Sequence, residues 1–303
     1  MSAGNVIFRS QFPDLFQSRL AYLDEIIKHN YDAPAITYTE VFNVRDSGRA
    51  YEETTGVTGL SLFSTQTEGD KVEYDEILQA YDKRFTHKKY AKGVQISEDA
   101  NEDDVDNAIS EFGPALGTSA QQSVETVVWN VFNNGFSSET TPDGVALFSN
   151  SHVLRGGGTF DNLVSGDLSI ANLEAALNQM ADMRDERNLR VEMSATKLVI
   201  PYNQLWTATE ILKSQMKSNT ANNAINALTQ VGLSIVVCKY LTNATDWFLC
   251  ADSQRTKLIV YWRRRPRTDH AMDFDTGNFK TKMTYKMSTG ASDWRGIIGG
   301  DGS

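Results

Sequence analysis

Residues 101–135 read NEDDVDNAISEFGPALGTSAQQSVETVVWNVFNNG, and the rest of the chain is interpreted around this stretch. Apolar residues recur every three or four positions from Val105 to Val131, which is the spacing of an amphipathic helix. Acidic residues near the start favour the positive end of a helix dipole. The ending Asn133-Asn134-Gly135 is typical of a left-handed helix cap. Gly113-Pro114 in the middle predicts a kink or a break into two helices.

A single helix of this length would be about 45–50 Å long, because each residue adds about 1.5 Å. An ordinary domain of this mass is about as wide in total, so an unbroken helix indicates an elongated molecule. Two shorter helices joined at Pro114 inside a globular domain agree with the same pattern. The stretch alone leaves both alternatives open.

Composition narrows the class of protein. The chain has 303 residues, 40% of them hydrophobic and 22% charged, which is enough for one large domain or two ordinary ones. No apolar run is long enough for a membrane span, and we expect no signal peptide. A net charge of −10 argues against a dedicated nucleic-acid-binding protein. Cys238 and Cys250 lie in apolar runs and predict buried thiols from a reducing compartment.

The segments before the long helix predict two extensions. Residues 12–27 carry an apolar stripe that predicts a short helix, which either docks on its own core or reaches a neighbouring subunit. Residues 35–42 are rich in β-formers and predict a strand. Residues 46–90 are polar, with a turn at Glu68-Gly69-Asp70 and alternating stretches that begin at Lys71 and Lys83. They predict a long β-hairpin that needs a partner surface, or else a disordered or self-packed surface loop.

The second half of the chain predicts a mixed α/β body. Ser169 is a good helix N-cap, and the following segments predict strands and helices that alternate. These are a helix from Ile170, a strand at 197–200, helices at 204–217 and 222–231, a cap at Gly232, and strands at 233–240, 246–251 and 257–262. Residues 279–287 then alternate strictly, which predicts a half-buried antiparallel strand with a basic solvent face.

We find no pattern that indicates catalysis. The four histidines are scattered, and none has metal-ligand spacing. Ser149 and Ser151 beside His152 do not form a defensible triad, since adjacent residues rarely point at one reacting atom. The acidic residues before the long helix lack the spacing of a calcium loop. The sequence therefore predicts no catalytic, cofactor or metal site.

Charge clusters are the remaining candidates. The hairpin carries Lys83, Arg84, Lys88 and Lys89, and the helix start carries Asp99, Glu102, Asp103 and Asp104. We hypothesise that these two clusters pair between subunits, where a repeated network of weak ion pairs sets orientation. Arg263, Arg264 and Arg265 form a further cluster that favours inter-subunit ion pairs, with contact to nucleic acid as the alternative.

Short stretches and the order of parts together resemble a known family. Gly144-Val-Ala-Leu-Phe-Ser-Asn-Ser-His-Val-Leu is similar to the Leu-Phe-Ser-x-x-His-Pro stretch of several phage coat proteins, with Val153 where proline is usual. Leu198–Trp206 is similar to their strand-to-helix entry, residues 226–237 to their helix-to-strand passage, and Trp294-Arg-Gly-Ile-Ile-Gly to their C-termini. The chain thus resembles the major capsid protein of tailed bacteriophages, which has the Hong Kong 97-like fold.

The resemblance implies an α+β, mixed fold in four parts. These are an N-terminal arm (1–45), an extended β-hairpin loop (46–93), a peripheral domain with the spine helix (94–144 and 264–303) and an axial α/β domain (145–263). It implies a structural coat protein and not an enzyme, with no cofactor. The coat protein would form hexamers and pentamers of an icosahedral head around double-stranded DNA, assembled in the bacterial cytoplasm.

The implied partners are other copies of the chain, a separate scaffolding protein, a portal, a decoration protein and weakly bound DNA, with no membrane. A separate scaffold is expected because no long helical segment precedes the arm. The alternative is an encapsulin-like compartment that encloses cargo enzymes.

Overall fold

The computed structural model describes residues 13–32, 34–77, 79–97, 112–216, 225–273 and 275–302. The helices among these residues are α1 (Pro13–Asp32), α2 (Phe112–Asn133), α3 (Ile170–Ala181) and α4 (Leu205–Lys213). The strands are β1 (Asn43–Asp46), β2 (Tyr51–Val57), β3 (Gln79–Thr86), β4 (Lys88–Ile96), β5 (His152–Val153), β6 (Thr159–Phe160), β7 (Leu163–Ser165), β8 (Ala195–Pro201), β9 (Ser234–Cys238), β10 (Trp247–Ala251), β11 (Leu258–Met272), β12 (Phe279–Ala291) and β13 (Ile297–Asp301).

The chain divides into two compact units. The first unit comprises residues 1–36, 88–124 and 264–287, and the second comprises 37–87, 125–263 and 288–303. Helix α2 therefore contributes to both units, as do β11 and β12.

The first unit packs helices on one face of a sheet. Strands β4 and β12 pair antiparallel, with Lys88 opposite Met287 and Ile96 opposite Phe279. Ile27 of α1, Leu116 of α2 and Met283 of β12 form a buried cluster. The alternation predicted for residues 279–287 is confirmed in part: Met283 is buried in this cluster while Lys282 is exposed, but Thr284, predicted to face solvent, is buried. The first of the two alternatives for the N-terminal helix is also confirmed, since Ile27 packs on its own chain.

Helices α1 and α2 approach most closely at Gly117, so substitution there tests their packing. A Cβ atom at this position would lie 2.3 Å from the carbonyl oxygen of Ile27 and 3.2 Å from Cβ of Asn30. We expect Gly117→Ala to lower the free energy of unfolding by about 1–3 kcal/mol, although alanine is the better helix former by about 1 kcal/mol. Chemical denaturation measures the change. Thr118→Ala is the control, and an increase in stability for Gly117→Ala would contradict the close approach.

A five-stranded sheet forms the centre of the second unit. Its order is β7-β13-β10-β8-β9, with β10 antiparallel to both neighbours and the two outer pairs parallel. All five residues of β10, Trp247–Ala251, are buried, as expected for a central strand covered on both faces. Strand β13 belongs to this sheet although the sequence analysis grouped its residues with the peripheral domain. The four-part division of the chain stays a prediction.

Aromatic rings fill the core beside this sheet. Phe132 of α2 contacts Phe42, Phe148 and Phe248, with ring centroids 4.8–6.0 Å apart. Gly135 was predicted to be a left-handed cap, and this was wrong, because it is absent from the residues with positive φ. Its role is steric, since a Cβ there would lie 2.6 Å from the Phe148 ring.

A buried carboxylate fastens the segment before β1 to α2. Glu125 is completely buried, and its two oxygens accept hydrogen bonds from the backbone N–H of Thr37 (2.9 Å), the Thr37 hydroxyl (2.9 Å) and Nε1 of Trp129 (2.8 Å). Three donors converge on one charged acceptor, which is how a buried carboxylate is stabilised in a protein interior.

Helix α2 is continuous from Phe112 to Asn133. Because residues 101–111 lie outside the described residues, the kink or break predicted at Gly113-Pro114 stays a prediction.

Two other local predictions were wrong. Residues 35–42 form no strand, because Tyr38–Glu40 is a short 3₁₀ turn that buries Tyr38. The helix predicted at 222–231 is, in its described part, the 3₁₀ turn Ala227–Gln230, although Gly232 is left-handed as predicted.

Both cysteines are buried and free, as the sequence predicted. Burial raises the pKa of each thiol to about 12. None of the helices in the described part combines the length and the apolar character that crossing a bilayer requires.

Candidate assembly surfaces

The hairpin predicted within residues 46–90 exists at its base. Strands β2 and β3 pair antiparallel, with Tyr51 opposite Thr86 and Val57 opposite Gln79. The residues between them, 58–77, contain turns but no strand, so the strand predicted from Lys71 was wrong. We call residues 58–77 the loop tip.

Asp75, near the end of the loop tip, is held by a hydrogen bond and an ion pair. The backbone N–H of Ser61 donates to Asp75 (2.6 Å), and Arg187 pairs with the same carboxylate at 2.9 Å. The hydrogen bonds from Ser61, helped by Arg187, lower the pKa of Asp75 to about 2. Arg187 also donates to the carbonyl of Glu76. These contacts join the two ends of the loop tip to each other and to Arg187.

Apolar side chains of the loop tip remain uncovered. The ring of Phe63 is fully exposed, and Tyr74 is 93% exposed. Six large apolar residues of the loop tip are exposed to solvent: Leu60, Leu62, Phe63, Val72, Tyr74 and Ile77. The tip also carries five carboxylates and one lysine, a net charge of −4. Apolar groups grouped in this way on a surface mark a site of protein contact.

Two of the predicted hairpin cations are held by their own chain. The Nζ atom of Lys83 lies 3.4 Å from a carboxylate oxygen of Glu139 and donates to the carbonyl of Thr140. Arg84 lies 3.7 Å from Glu53, and its guanidinium covers the ring of Tyr51 at 3.6 Å. These contacts orient both side chains along the hairpin.

Lys88 and Lys89 are exposed on β4. The register with β12 places Lys89 directly opposite Lys286, an arrangement of like charges that is unfavourable without an anionic partner. The predicted acidic partners Asp99, Glu102, Asp103 and Asp104 lie outside the described residues. The hypothesis that the two clusters pair between subunits stays a prediction.

Arginines of the predicted 263–265 cluster have different hydrogen-bond partners in the structure. The guanidinium of Arg263 donates to the carbonyl of Ser47 at 3.4 Å within the second unit. Arg264 donates to the hydroxyl of Thr284 at 2.9 Å within the first unit. Arg265 is exposed on the same strand. The cluster is therefore a run of strand residues in which at least two side chains have partners in their own chain.

The sequence analysis did not find a buried polar cluster around His152. This side chain is completely buried, with Nδ1 2.6 Å from Asp143 and Nε2 3.1 Å from Oδ1 of Asn162. The Asn162 amide orientation is fixed, since its nitrogen donates to the carbonyl of Leu147 and its oxygen accepts from the N–H of Ser149. Both ring nitrogens therefore lie within hydrogen-bond distance of a side-chain oxygen.

Rings and charges enclose this histidine. Trp294 stacks on His152 with centroids 4.6 Å apart, and Phe160 stacks on the same indole at 5.1 Å. Arg295 covers the Trp294 ring and pairs with Glu186 at 3.1 Å. Burial disfavours the Asp143 carboxylate, but hydrogen bonds from His152 and Thr141 outweigh it and lower the Asp143 pKa. The cluster joins the loop after α2 to the end of the chain, and its contacts are those of a structural core.

The neighbouring carboxylates of Asp246 and Asp301 predict that the stability of the chain depends on pH. Burial and the neighbouring Asp301 carboxylate raise the pKa of Asp246 to about 6, against an ordinary value of 3.8. The folded chain therefore binds more protons than the unfolded chain between these values, and stability falls as pH rises from about 4 to 6. We expect Asp246→Asn to flatten this decline and to raise the free energy of unfolding at neutral pH by about 1–2 kcal/mol.

Denaturation at several pH values between 4 and 8 measures this effect. Asp167→Asn, at an exposed carboxylate, is the control. An unchanged pH profile for Asp246→Asn would contradict the prediction.

The described residues contain no group of three His, Cys, Asp or Glu side chains placed to hold a metal ion. What they present are surfaces and a rigid core.

Several solved structures of phages share this fold. A chain from the structure of Microbacterium phage Oxtober96 aligns with a TM-score of 0.55, covering 87% of this chain and 90% of that one at 10% identity. The mature capsid of bacteriophage PhiM1 gives 0.57, covering 87% and 85% at 9% identity. The capsid of cyanophage P-SCSP1u gives 0.53, covering 89% and 88% at 16% identity. No relative was found among curated proteins.

The fold defines a class of protein: it is the Hong Kong 97-like fold of phage major capsid proteins, as the resemblance implied. The sequence model of the family described as phage capsid protein matches residues 80–299. The chain belongs to this family. It is accordingly a structural protein of the virion capsid and not an enzyme, as predicted.

Proposed function

We propose that this chain is the major coat protein that forms hexamers and pentamers of an icosahedral head around double-stranded DNA. Assembly takes place in the bacterial cytoplasm around a separate scaffolding protein, with a portal at one vertex and a decoration protein on the finished shell. Membership of the phage capsid family supports this proposal. The proposal adds the particular assembly that the chain would form.

The observation that carries the proposal is the uncovered loop tip. A loop with exposed apolar side chains, joined to Arg187 through Asp75, is suited in a chain of this family to pack on another copy. Repeated around closed symmetry, one such contact generates rings of identical subunits. Shell interfaces of this kind bury large areas against several neighbours.

Contact with DNA is a minor part of the proposal. The chain has a net charge of −10, so only local basic surfaces attract phosphate. Contacts of lysine and arginine with phosphate position a protein without reading sequence. The interior of the head would thus hold DNA weakly and without sequence preference.

A compartment that encloses cargo proteins is the second candidate. The virus-like particle from Pyrococcus furiosus aligns with a TM-score of 0.53, covering 93% of this chain and 98% of that one at 10% identity. The contents of purified particles distinguish the two functions, because a phage head retains DNA and a compartment retains protein.

Negative-stain electron microscopy with sedimentation velocity on the same sample tests the proposal. We expect closed shells, or rings of five or six subunits, from the purified chain alone or with its scaffold. Nuclease treatment and gel analysis then identify the contents. A chain that stays a compact monomer with the scaffold supplied would contradict the proposal.

A further inference from the structure

The two sides of the loop tip are joined by hydrogen bonds of side chains, since residues 58–77 form no strand. Four such bonds follow one hairpin register: Ser61 with Asp75, Ser64 with Glu73, Gln66 with Lys71, and Thr67 with Asp70. All four are exposed to water, where single polar contacts contribute little to stability. The tip therefore needs a further contact to fix its direction.

Arg187 supplies a contact from outside the tip. Its guanidinium lies 2.9 Å from the carboxylate of Asp75 and donates to the carbonyl of Glu76. The side chains of Arg187 and Asp75 are only 23% and 27% exposed. A charge-assisted hydrogen bond is stronger than a neutral one, and the planar guanidinium can bind two acceptors at once. This contact can therefore fix both the position and the direction of the return side of the tip.

The turn at residues 185–189 holds Arg187 in place. The Asp185 carboxylate accepts hydrogen bonds from the backbone N–H groups of Arg187 (2.9 Å) and Leu189 (2.8 Å). Asn188 has a φ of 64°, a left-handed conformation that asparagine adopts more readily than most residues. The backbone that carries the guanidinium is thus fixed by contacts that do not involve the loop tip.

A glycine loop supports the same turn and the base of the hairpin. The N–H of Gly156 donates to the carbonyl of Glu186 at 2.6 Å, and a Cβ atom at Gly156 would lie 3.0 Å from Cα of Arg187. The neighbouring Arg155 accompanies it, with its N–H 3.0 Å from the Glu186 carboxylate and its guanidinium over the ring of Tyr81 in β3. All of these residues belong to the second unit, as does the loop tip.

We infer that Arg187 is a positioning residue for assembly: through Asp75 it orders the loop tip in the free chain, before the tip meets another copy. The inference rests on the proposed function and assigns a residue that controls its rate. Ordering a flexible loop during association costs free energy, and a loop that is already ordered avoids this cost. The competing explanation is that Arg187 only stabilises the fold.

Trypsin measures the order of the tip in the unassembled chain, because Lys71 is the only lysine or arginine in residues 58–77. The rate of cleavage after Lys71 follows the population of open loop. We expect it to be about tenfold higher in Arg187→Ala and in Asp75→Asn, which both remove a charge-assisted bond. Arg190→Ala is the matched control, since Arg190 forms an exposed ion pair with Asp182 away from the hairpin.

Assembly followed by light scattering separates positioning from stability. At equal concentrations of folded chain, we expect Arg187→Ala to assemble about tenfold more slowly than Arg190→Ala, because its loop must be ordered during association. Arg187→Lys should give intermediate rates of cleavage and assembly, because lysine keeps the charge but lacks the planar fork that binds two acceptors. A purely stabilising role predicts a lower midpoint of thermal unfolding with unchanged assembly of the folded chain.

Three outcomes would overturn the inference. They are equal cleavage after Lys71 in Arg187→Ala and Arg190→Ala, faster cleavage with an unchanged rate of assembly, and cleavage that accelerates equally at every trypsin site. In the first two, wild-type shells still form and the proposed function survives. A wild-type chain that forms no shells with its scaffold would instead contradict the proposed function, and the cleavage rates would still decide whether Arg187 orders the tip.

Discussion

Replacing His152 by alanine is expected to lower the free energy of unfolding by about 3–5 kcal/mol, because a buried ring and its two hydrogen bonds are lost from the core. The substitution removes one hydrogen-bond partner from Asp143, which keeps Thr141, and one from Asn162, which keeps the N–H of Ser149. It also opens a space beneath the stacked ring of Trp294. Urea denaturation at neutral pH, followed by tryptophan fluorescence, measures the loss.

A double-mutant cycle with Asp143→Ala separates the pair from the packing. We expect a coupling energy of about 1–3 kcal/mol between the two positions, since they share one buried hydrogen bond. Ser151→Ala is the control, because this hydroxyl is exposed beside the histidine. A loss below about 1 kcal/mol for His152→Ala would contradict the structural role of this cluster.

The environment of His152 shows where sequence reasoning ends. The stretch Leu-Phe-Ser-x-x-His was informative as part of a resemblance, and a catalytic role beside Ser149 and Ser151 was rejected. The partners of the ring could not be derived, because Asp143 and Asn162 lie nine and ten residues away in separate turns. Trp294 is more than a hundred residues distant, so only the tertiary fold brings it to the ring.

Periodic segments were predictable because burial imposes their pattern. Helix α3 begins at its predicted cap, where Ser169 accepts from the N–H of Asn172. Strand β12 alternates as expected from Thr281 to Met283, but Thr284 on the predicted solvent face is buried. The strand predicted at residues 35–42 was wrong because residues that favour strands can also be buried in a 3₁₀ turn, as Tyr38 is here. The region from Lys71 alternates without any strand to pair with, so its pattern reflects a surface loop.

Charge clusters were less predictable than helices. Composition identified the cations of the hairpin, but not that Lys83 would reach Glu139 or that Arg84 would cover Tyr51. Ion pairs depend on side chains brought together from distant parts of the chain. The exposed apolar tip was equally hidden, since an exposed Phe63 and a buried Phe148 look alike in a sequence. What the sequence did indicate was a polar loop too poor in core to stand alone.

Glu125→Ala is the second substitution with a large expected effect. It removes the acceptor of three buried hydrogen bonds from Thr37 and Trp129. Each unsatisfied buried donor costs about 1–3 kcal/mol, so we expect a total loss of about 3–5 kcal/mol in the free energy of unfolding. Urea denaturation measures it, and hydrogen exchange at the Thr37 amide reports whether the segment before β1 is released.

The conservative variant Glu125→Gln distinguishes charge from space. Glutamine keeps one oxygen acceptor but turns an amide N–H group toward the remaining donors, so we expect a loss of about 1–3 kcal/mol, smaller than for alanine. Glu210→Ala, at an exposed position on α4, should change stability by less than about 0.5 kcal/mol. Equal losses for Ala and Gln would show that the negative charge, which attracts all three donors, carries the whole effect. A loss below about 1 kcal/mol for alanine, with unchanged exchange at Thr37, would mean that the neighbouring aromatic core holds the segment without the carboxylate.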